Sequence, residues 1–273
     1  YSIGRWKEAG VLQPIDTARL SHWADVIPSL VDAPDVRDAE GRVWMVPFAW
    51  GNTSAVFRTD LAPEYVGTND VGILFDETYK GRLAVMAGVD ETLPILAHHK
   101  GIDIYNLDAA GMAALRAMLT AQRPLLRFYS EDPTQLANAM ASGELVAAIA
   151  WNSDVLALKS QGVPVEYMRP KGGLLTWVCG LGLGAKALHP DLALDAIDSM
   201  LSTTAGAWLI ENWGFGHGNA QSFAAVPAER LAELGLPAGP SEIAAFLAEG
   251  LFSRPLPNKE ALIKMYEEVR AGF

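Results

Sequence analysis

Residues 172–190, GGLLTWVCGLGLGAKALHP, limit the fold of this chain more than any other stretch of its sequence. Residues 174–183 are apolar and β-prone but too short to span a membrane, so they predict a buried strand. Glycines at every second position over 180–184 leave one face of that strand bare, which lets another backbone or a ligand approach closely. A helix is predicted directly afterwards, over 191–201. A strand with a bare face that runs into a helix is typical of the ligand-binding edge of an open α/β sheet.

Strand patterns alternate with helix patterns along the rest of the chain. Apolar runs predict strands over 42–51, 54–58, 82–86, 145–151 and 163–168. Capping residues and apolar periodicity predict helices over 22–30, where Pro28 interrupts the helix, from 93, over 108–122, from 133 and over 258–270. This alternation indicates an α/β fold. Because the sequence contains no long linker, two lobes have to be joined by crossing strands, which we place at 50–53 and 177–181.

The charge balance limits the class of partner. The chain has 273 residues, a formal net charge of −11 and no cluster of Lys and Arg, which argues against nucleic acid. The single Cys179 excludes an internal disulfide and a multi-cysteine metal site. Because common catalytic and phosphate-binding motifs are absent, we expect no cofactor, no metal and no catalytic residues. The chain starts at Tyr1 without an initiator Met, and we expect it to be processed or incompletely covered.

Four short motifs occur along the chain in a specific order and spacing. They are YKG at 79–81, AWN at 150–152, PKGG at 170–173 and ENWGF at 211–215. With these motifs the chain resembles the periplasmic spermidine/putrescine-binding proteins of ABC importers, within the larger group of extracellular solute-binding proteins. The resemblance implies a two-lobed periplasmic-binding-protein fold, type II-like, with hinge strands between the lobes. We assign 1–48 and 179–222 to a first lobe whose N-terminal part is missing, and 49–178 and 223–273 to a second lobe.

Carried over residue by residue, the resemblance implies an aromatic ligand site with one carboxylate. Tyr1, Trp151 and Trp177 match aromatic residues of the family's cleft. Glu91 matches a carboxylate that holds an amine. Together with Phe215, the two tryptophans could form the wall of a pocket in which a cation or a short aliphatic chain lies against the ring faces. The resemblance therefore implies that closing lobes capture a polyamine.

Three positions depart from the family pattern. Cys179 stands where the family has an aspartate that anchors an ammonium group, Gly88 where a second acidic residue is usual, and Phe215 where a tyrosine is usual. With two anionic contacts gone, a doubly charged polyamine would be poorly neutralised in a desolvated cleft, so the ligand class can have drifted. On its own, Cys179 is predicted to be a small buried hydrophobic residue, because neither His nor Lys adjoins it.

The same residues also have ordinary structural interpretations. The aromatic residues can belong to the core, and Glu91 can be a solvated or helix-start acid, with Asp90 as its substitute if the register differs by one. Arg127 could hold a ligand carboxylate in a bidentate pair, which would favour a zwitterion such as γ-aminobutyrate or an aminophosphonate. Arg254 is a weaker candidate of the same kind. His217, between two glycines, is predicted to lie on a loop near the cleft.

The functional hypotheses differ in class. The first is a receptor that captures a small amine-bearing solute, such as putrescine or spermidine, by lobe closure and delivers it to the permease subunits of an ABC importer. The second keeps this receptor and changes the ligand to a zwitterion. The third is an α/β enzyme acting on a small acid, for which Glu91 and His217 are the candidate bases. We adopt the first and expect a monomer without its signal peptide, either periplasmic or extracellular and lipid-anchored.

Overall fold

The computed structural model describes residues 3–34 and 36–273, and it divides the chain into two compact units. The first unit comprises the residues up to Gly51 and Thr176–Arg254, and the second comprises Asn52–Leu175 and Pro255–Phe273. The chain therefore passes between the units at 51/52, 175/176 and 254/255. The first passage falls within the crossing predicted at 50–53, and the second lies just before the one predicted at 177–181.

The secondary structure of the described residues confirms the predicted α/β class. The strands are β1 (Leu12–Gln13), β2 (Val46–Arg58), β3 (Leu83–Met86), β4 (Leu126–Ser130), β5 (Ala147–Trp151), β6 (Val165–Tyr167), β7 (Leu175–Leu181), β8 (Leu183–Gly184), β9 (Gly216–His217) and β10 (Leu251–Phe252). The α-helices are α1 (Ile3–Glu8), α2 (Pro28–Val31), α3 (Val89–His99), α4 (Ala109–Gln122), α5 (Pro133–Ala141), α6 (Asn152–Ser160), α7 (Pro190–Met200), α8 (Thr203–Trp213), α9 (Gln221–Ala224), α10 (Ala228–Leu234), α11 (Pro240–Glu249) and α12 (Lys259–Ala271). Strand β7 and helix α7 confirm the strand and the helix predicted in and after the 172–190 stretch.

The first part of β2 organises the first unit. It pairs with β9 in antiparallel register, with Trp50 opposite Gly216. In the sheet it also lies beside β7, and β10 lies on the other side of β7. The Trp50 indole is fully buried in a cluster with Phe223 and Ile243. The structure thus groups residues 223–254 with the first unit, whereas the predicted lobes group them with 49–178. The helices of this segment supply apolar partners for Trp50, and sequence periodicity alone does not show which core a helix covers.

Gly180 of β7 and Gly182, directly after that strand, allow the close approach to another backbone that the bare face predicts. A Cβ atom on Gly180 would lie 2.8 Å from the carbonyl oxygen of Val46 and 2.2 Å from Cγ of Met45. A Cβ atom on Gly182 would lie 3.1 Å from a methyl group of Leu12. The backbone and side chains of the first unit therefore fill the space that these glycines leave.

The second unit contains a mixed sheet. Strand β5 is antiparallel to β2 and parallel to β3, and β3 is parallel to β4, which gives the order β2-β5-β3-β4, while β6 also pairs with β2. Ala148 of the sheet belongs to one apolar cluster with Leu136 of α5 and Leu158 of α6. Helix α12 contacts α3 and α4, and the Tyr266 hydroxyl donates a 2.9 Å hydrogen bond to the carbonyl oxygen of Met86.

The strand prediction around residue 52 is wrong in one respect. The two strands predicted at 42–51 and 54–58 form the single strand β2, which is buried along most of its length. Hydrogen bonds inside the second unit hold the middle of the strand at the Ser54 side chain and at the Asn52 backbone, while the buried Thr53 hydroxyl has no hydrogen-bond partner among the described residues. The Ser54 hydroxyl donates to the carbonyl oxygen of Met168 at 2.8 Å, and the N–H of Asn52 donates to Oδ1 of Asn152 at 3.0 Å. These bonds let the strand continue through a polar stretch.

One helix prediction needs correction and another is confirmed. The helix expected from residue 93 begins four residues earlier, at Val89, so residues 90 and 91 lie in its first turn and not in a loop. The helix predicted over 22–30 is interrupted at Pro28 as expected, and it consists of a short 3₁₀ helix, Trp23–Asp25, and α2, which begins at Pro28. Proline lacks the N–H that a continuous helix needs at this point, so it starts a new helix.

Gly180→Ala is expected to lower the free energy of unfolding by about 1–3 kcal/mol, because the added methyl group has to displace Met45 and the β2 backbone. Gly184→Ala is the matched control, since a Cβ atom there has no neighbour within 4 Å. We expect the control to change the free energy of unfolding by less than about 0.5 kcal/mol. Urea denaturation of the parent and both variants measures these values, and equal midpoints for the two variants would contradict the close packing of β7.

Candidate ligand-binding site

The carboxyl ends of three parallel strands meet at one edge of the second unit's sheet. Strand β3 ends at Met86, β4 at Ser130 and β5 at Trp151, and a helix follows each of them. In an open α/β sheet, ligands bind at this edge. A cavity of about 270 Å³ lies there. It is lined by Met86, Ala87, Gly88, Glu91, Ser130, Glu131, Asp132, Pro133, Leu136 and Trp151.

Glu91 enters the cavity from the first turn of α3. Its carboxylate folds back over Gly88, the residue that caps this helix. A Cβ atom on Gly88 would lie only 2.0 Å from Oε2 of Glu91. The positive end of the helix dipole attracts a carboxylate in this position. Asp90, the predicted substitute for Glu91, is bonded to Lys259 of α12 and does not line the cavity. Of these two neighbouring acids, the cavity therefore contains Glu91 and not Asp90.

Trp151 reaches the same cavity from the end of β5. It is the last residue of that strand, where it pairs with Thr53 of β2, and it also caps the N-terminus of α6. The side chain is partly exposed, in contrast to the fully buried alanines that precede it in β5. The structure thus brings together two of the predicted site residues, an aromatic ring and a carboxylate, within one cavity of one unit.

Two further carboxylates line the cavity that the sequence analysis does not single out. Asp132 caps α5, where its Oδ1 accepts a 2.8 Å hydrogen bond from the N–H of Thr134. Glu131 forms a 3.0 Å ion pair with Arg270. A signal for them is present in the sequence, because a residue that follows a strand and caps a helix lies at the ligand-binding edge of an α/β sheet. From the sequence alone, Asp132 is predicted only to cap the helix that starts at residue 133.

Trp177 and Phe215 contact each other within the first unit. Their rings meet edge to face, with the centroids 4.9 Å apart. Phe215 follows α8 through Gly214, which takes the left-handed conformation at φ +68°. Trp213, the last residue of α8, adds a third ring with its centroid 6.0 Å from that of Phe215. Trp213 is about half exposed and is a candidate that sequence reasoning missed, although it lies inside the ENWGF motif.

Cys179 is exposed on β7, so the prediction of a small buried hydrophobic residue is wrong. Successive side chains of a strand point to opposite faces. The next residue, Gly180, faces Met45 and Val46, and Cys179 therefore faces away from them. A contact between the thiol and a ligand stays a prediction.

Arg127 lies at the other end of β4 from the cavity. It is the second residue of that strand, whereas the cavity is at the carboxyl end. Its Nε forms a 2.7 Å ion pair with Glu144, and both side chains are largely exposed. These two residues line a separate, open depression of the second unit. The structure does not bring Arg127 together with Glu91 and Trp151, and Tyr1 lies outside the described residues.

Comparison with known proteins gives the family. A model of the bacterial extracellular solute-binding proteins matches residues 1–234. The chain belongs to this family. The spermidine/putrescine-binding periplasmic protein of Escherichia coli K12 is 23% identical to this solute-binding protein over 216 residues, which are 79% of this chain and 60% of that protein. The putrescine/agmatine-binding protein of Pseudomonas aeruginosa is 23% identical over 227 residues, which are 78% of this chain and 61% of that protein.

The fold is shared with solved substrate-binding proteins of ABC transporters. The spermidine/putrescine ABC transporter substrate-binding protein PotD of Streptococcus pneumoniae superposes with a TM-score of 0.80 at 15% identity, over 99% of this chain and 82% of that chain. The family resemblance and the fold class predicted from the sequence are thereby confirmed. The present chain spans about 60% of the length of the curated relatives that it matches. Within residues 3–34 and 36–273, no helix has the length and apolar character needed to cross a membrane.

His217 of this solute-binding protein lies in strand β9 and is fully buried, so the prediction that it lies on a loop is wrong. Its Nε2–H donates to the carbonyl oxygen of Met200 at 3.1 Å. Its Nδ1 accepts from the Ser222 hydroxyl at 2.9 Å and from the N–H of Asn219 at 3.2 Å. Burial lowers the pKa of His217 to about 4 from an ordinary 6.5. The imidazole is a neutral structural group that joins parts of the first unit.

Gly88→Ala is expected to move the Glu91 carboxylate away from the N-terminus of α3, because a methyl group takes its place. The backbone at Gly88 has φ −73°, which suits alanine, so we expect a change in the free energy of unfolding below about 1 kcal/mol. Gly239→Ala, at another helix cap with no neighbour within 4 Å, is the control. Crystal structures of both variants give the position of Glu91, and an unmoved carboxylate in Gly88→Ala would contradict this account.

The depressed pKa of His217 predicts a loss of stability in acid. Between pH 6.5 and about 4 the unfolded chain binds a proton at His217 that the folded chain does not, so the free energy of unfolding falls as the pH falls through this range. The difference in pKa corresponds to about 3 kcal/mol. We expect His217→Gln to be less stable than the parent near neutral pH but to lose less stability on acidification. Parallel slopes for the two proteins in urea denaturation against pH would contradict this assignment.

Proposed function

We propose that this chain is the solute-binding component of an ABC importer and captures a small amine-bearing solute such as putrescine or spermidine. The relatives in the family are named for binding spermidine, putrescine or agmatine, and the solved neighbour for its place in an ABC transporter. On this proposal the protein acts in the periplasm or at the cell exterior and hands its ligand to permease subunits. It binds without converting its ligand.

The observation that supports this proposal is the pairing of Glu91 with Trp151 in one cavity of the second unit. A carboxylate supplies the opposite charge that an ammonium group needs when it leaves water. The face of an indole ring attracts a cation by about 0.5–2 kcal/mol, depending on how far the pair is desolvated. The methylene groups of an alkyl amine can pack on the same ring. The two side chains together thus suit both the ammonium group and the methylene groups of a short aliphatic amine.

Two of the residues that would serve the alternative functions lie in unsuitable places. A zwitterionic ligand needs a cation near the amine site, but Arg127 lies at the opposite end of β4 and is paired with Glu144. An enzyme needs an accessible base, but His217 is buried and hydrogen-bonded on both ring nitrogens. Glu91, the other candidate base, lines the cavity, and recovery of the ligand unchanged is the result that distinguishes the receptor from the enzyme. The predicted contacts of Tyr1, Trp177, Phe215 and Cys179 with the ligand stay predictions.

Titration with putrescine tests the proposal directly. We expect isothermal titration calorimetry to show saturable binding to the parent protein, with the ligand recovered unchanged. Glu91→Gln removes the opposite charge and is expected to weaken binding about tenfold or more. Trp151→Ala removes the ring face and is expected to weaken it by a similar factor. Gly88→Ala displaces the same carboxylate and is expected to fall between Glu91→Gln and the parent.

Matched controls separate a site effect from a general one. Glu144→Gln removes an exposed carboxylate of the second unit outside the cavity, and Trp208→Ala removes an exposed tryptophan of the first unit. Neither should change the affinity for putrescine. Spermidine and γ-aminobutyrate are titrated in parallel. Binding of γ-aminobutyrate alone, or chemical conversion of any of the three compounds, would overturn the amine-receptor proposal.

A further inference from the structure

A buried carboxylate lies directly behind the proposed ligand-binding residue Trp151. Asp154 is in the first turn of α6, and its Oδ2 accepts a 2.9 Å hydrogen bond from the backbone N–H of Trp151. The carboxylate does not line the cavity, and Asp154 is only 9% exposed. It therefore touches the backbone of Trp151 on the side of the protein interior, while the indole ring reaches the cavity.

The residue after Trp151 is anchored to the neighbouring strand through its side chain. Oδ1 of Asn152 accepts a 3.0 Å hydrogen bond from the backbone N–H of Asn52 in β2. The bond from the Trp151 N–H to Asp154 is thus joined by a second bond one residue further along the chain, in addition to the register of Trp151 opposite Thr53. Because the backbone dihedral angles of a residue determine which side-chain rotamers it can adopt, groups that fix the backbone here also restrict the direction of the ring.

We propose that Asp154 is a positioning residue that holds Trp151 in its ligand-binding orientation. The inference rests on the proposed function, because it concerns the same cavity. A hydrogen bond from an amide to an ionised carboxylate is shorter and stronger than one to a neutral acceptor. The carboxylate also lies at the positive end of the α6 dipole, which strengthens the attraction. Asp154 therefore fixes the junction of β5 and α6 more firmly in its charged form than in its neutral form.

The surroundings of Asp154 make its charge sensitive to pH. Burial raises the pKa of its carboxyl to about 6, although the hydrogen bond from Trp151 opposes this shift. The elements packed against α6 are α5, β5 and β6. The sequences of α5 and β5 contain no ionisable side chain. Strand β6 contains Glu166, which accepts a 2.9 Å hydrogen bond from the N–H of Gly67, and Tyr167, whose own pKa is raised well above its usual value, chiefly by burial and also by Asp154. Arg169, beyond β6, opposes the shift of Tyr167.

Fluorine-19 NMR on protein labelled with 5-fluorotryptophan tests the inference without any ligand. The chain has 8 tryptophans, and the Trp151 resonance is assigned by its loss in Trp151→Phe. We expect this resonance to shift with pH in the parent, with a midpoint near 6. Asp154→Asn keeps an oxygen that accepts the bond from Trp151 but does not titrate, so its resonance should stay fixed. If the Trp151 resonance has the same chemical shift and the same pH dependence in the parent, in Asp154→Asn and in Asp154→Ala, the proposal is overturned.

Putrescine affinity, measured by calorimetry near neutral pH, tests the consequence for binding. We expect Asp154→Ala to weaken binding about fivefold and Asp154→Asn to remain within about twofold of the parent. In a Trp151→Ala background, Asp154→Ala should have no further effect, because its influence passes through the ring. Asp108→Ala is the control, since Asp108 caps α4 with a 2.7 Å bond to the N–H of Gly111 and should leave affinity unchanged.

The outcomes separate the two proposals. If the parent fails to bind putrescine while the Trp151 resonance responds to Asp154, the proposed function is wrong and the positioning role stands. If the parent binds putrescine and Asp154→Ala binds it equally well, the positioning role is wrong and the proposed function stands. An equal loss of affinity in Asp154→Ala and Asp108→Ala would show a general effect of helix destabilisation and would also overturn the positioning role.

Discussion

The parallel alignment of β3 with β4 and β5 is the constraint on which the candidate site depends. Parallel strands need a crossover connection, and here the crossovers contain helices. Each strand therefore delivers its last residue, and the start of the next helix, to the same edge of the sheet. Glu91 and Trp151 are 60 positions apart in the sequence and still reach one cavity. Chain direction brings them together, and no specific contact between them is required.

The helices that begin at this edge share an acidic residue near their N-termini. Each of α3, α5 and α6 has a carboxylate at its cap or in its first turn, namely Glu91, Asp132 and Asp154. A carboxylate is favoured there by the helix dipole and by the N–H groups that have no partner within the helix. Because acidic residues are favoured at helix N-termini, negative charge collects along the edge where the three strands end. A cation that approaches this edge meets a charge pattern that the fold itself favours.

The sequence predicts the elements of the fold better than their grouping. Apolar runs and helix caps identify β5, α4 and α5, because those signals are local. The membership of residues 223–254 depends on which core their apolar faces cover, and Trp50, their partner, lies far away in the sequence. For the candidate site, the family resemblance supplied Glu91 and Trp151. The burial of His217 and the exposure of Cys179 depend on tertiary neighbours that no local pattern contains.

The last helix has a consequence for the order in which this protein can be completed. Helix α12 belongs to the second unit, although the whole segment Thr176–Arg254 of the first unit lies between it and the rest of that unit. Its Tyr266 is almost fully buried and hydrogen-bonded to the end of β3. During synthesis the second unit therefore remains unfinished until α12 has left the ribosome. A helix that is translated after the whole Thr176–Arg254 segment completes the packing behind β3, so a chain that stops before α12 has no complete second unit.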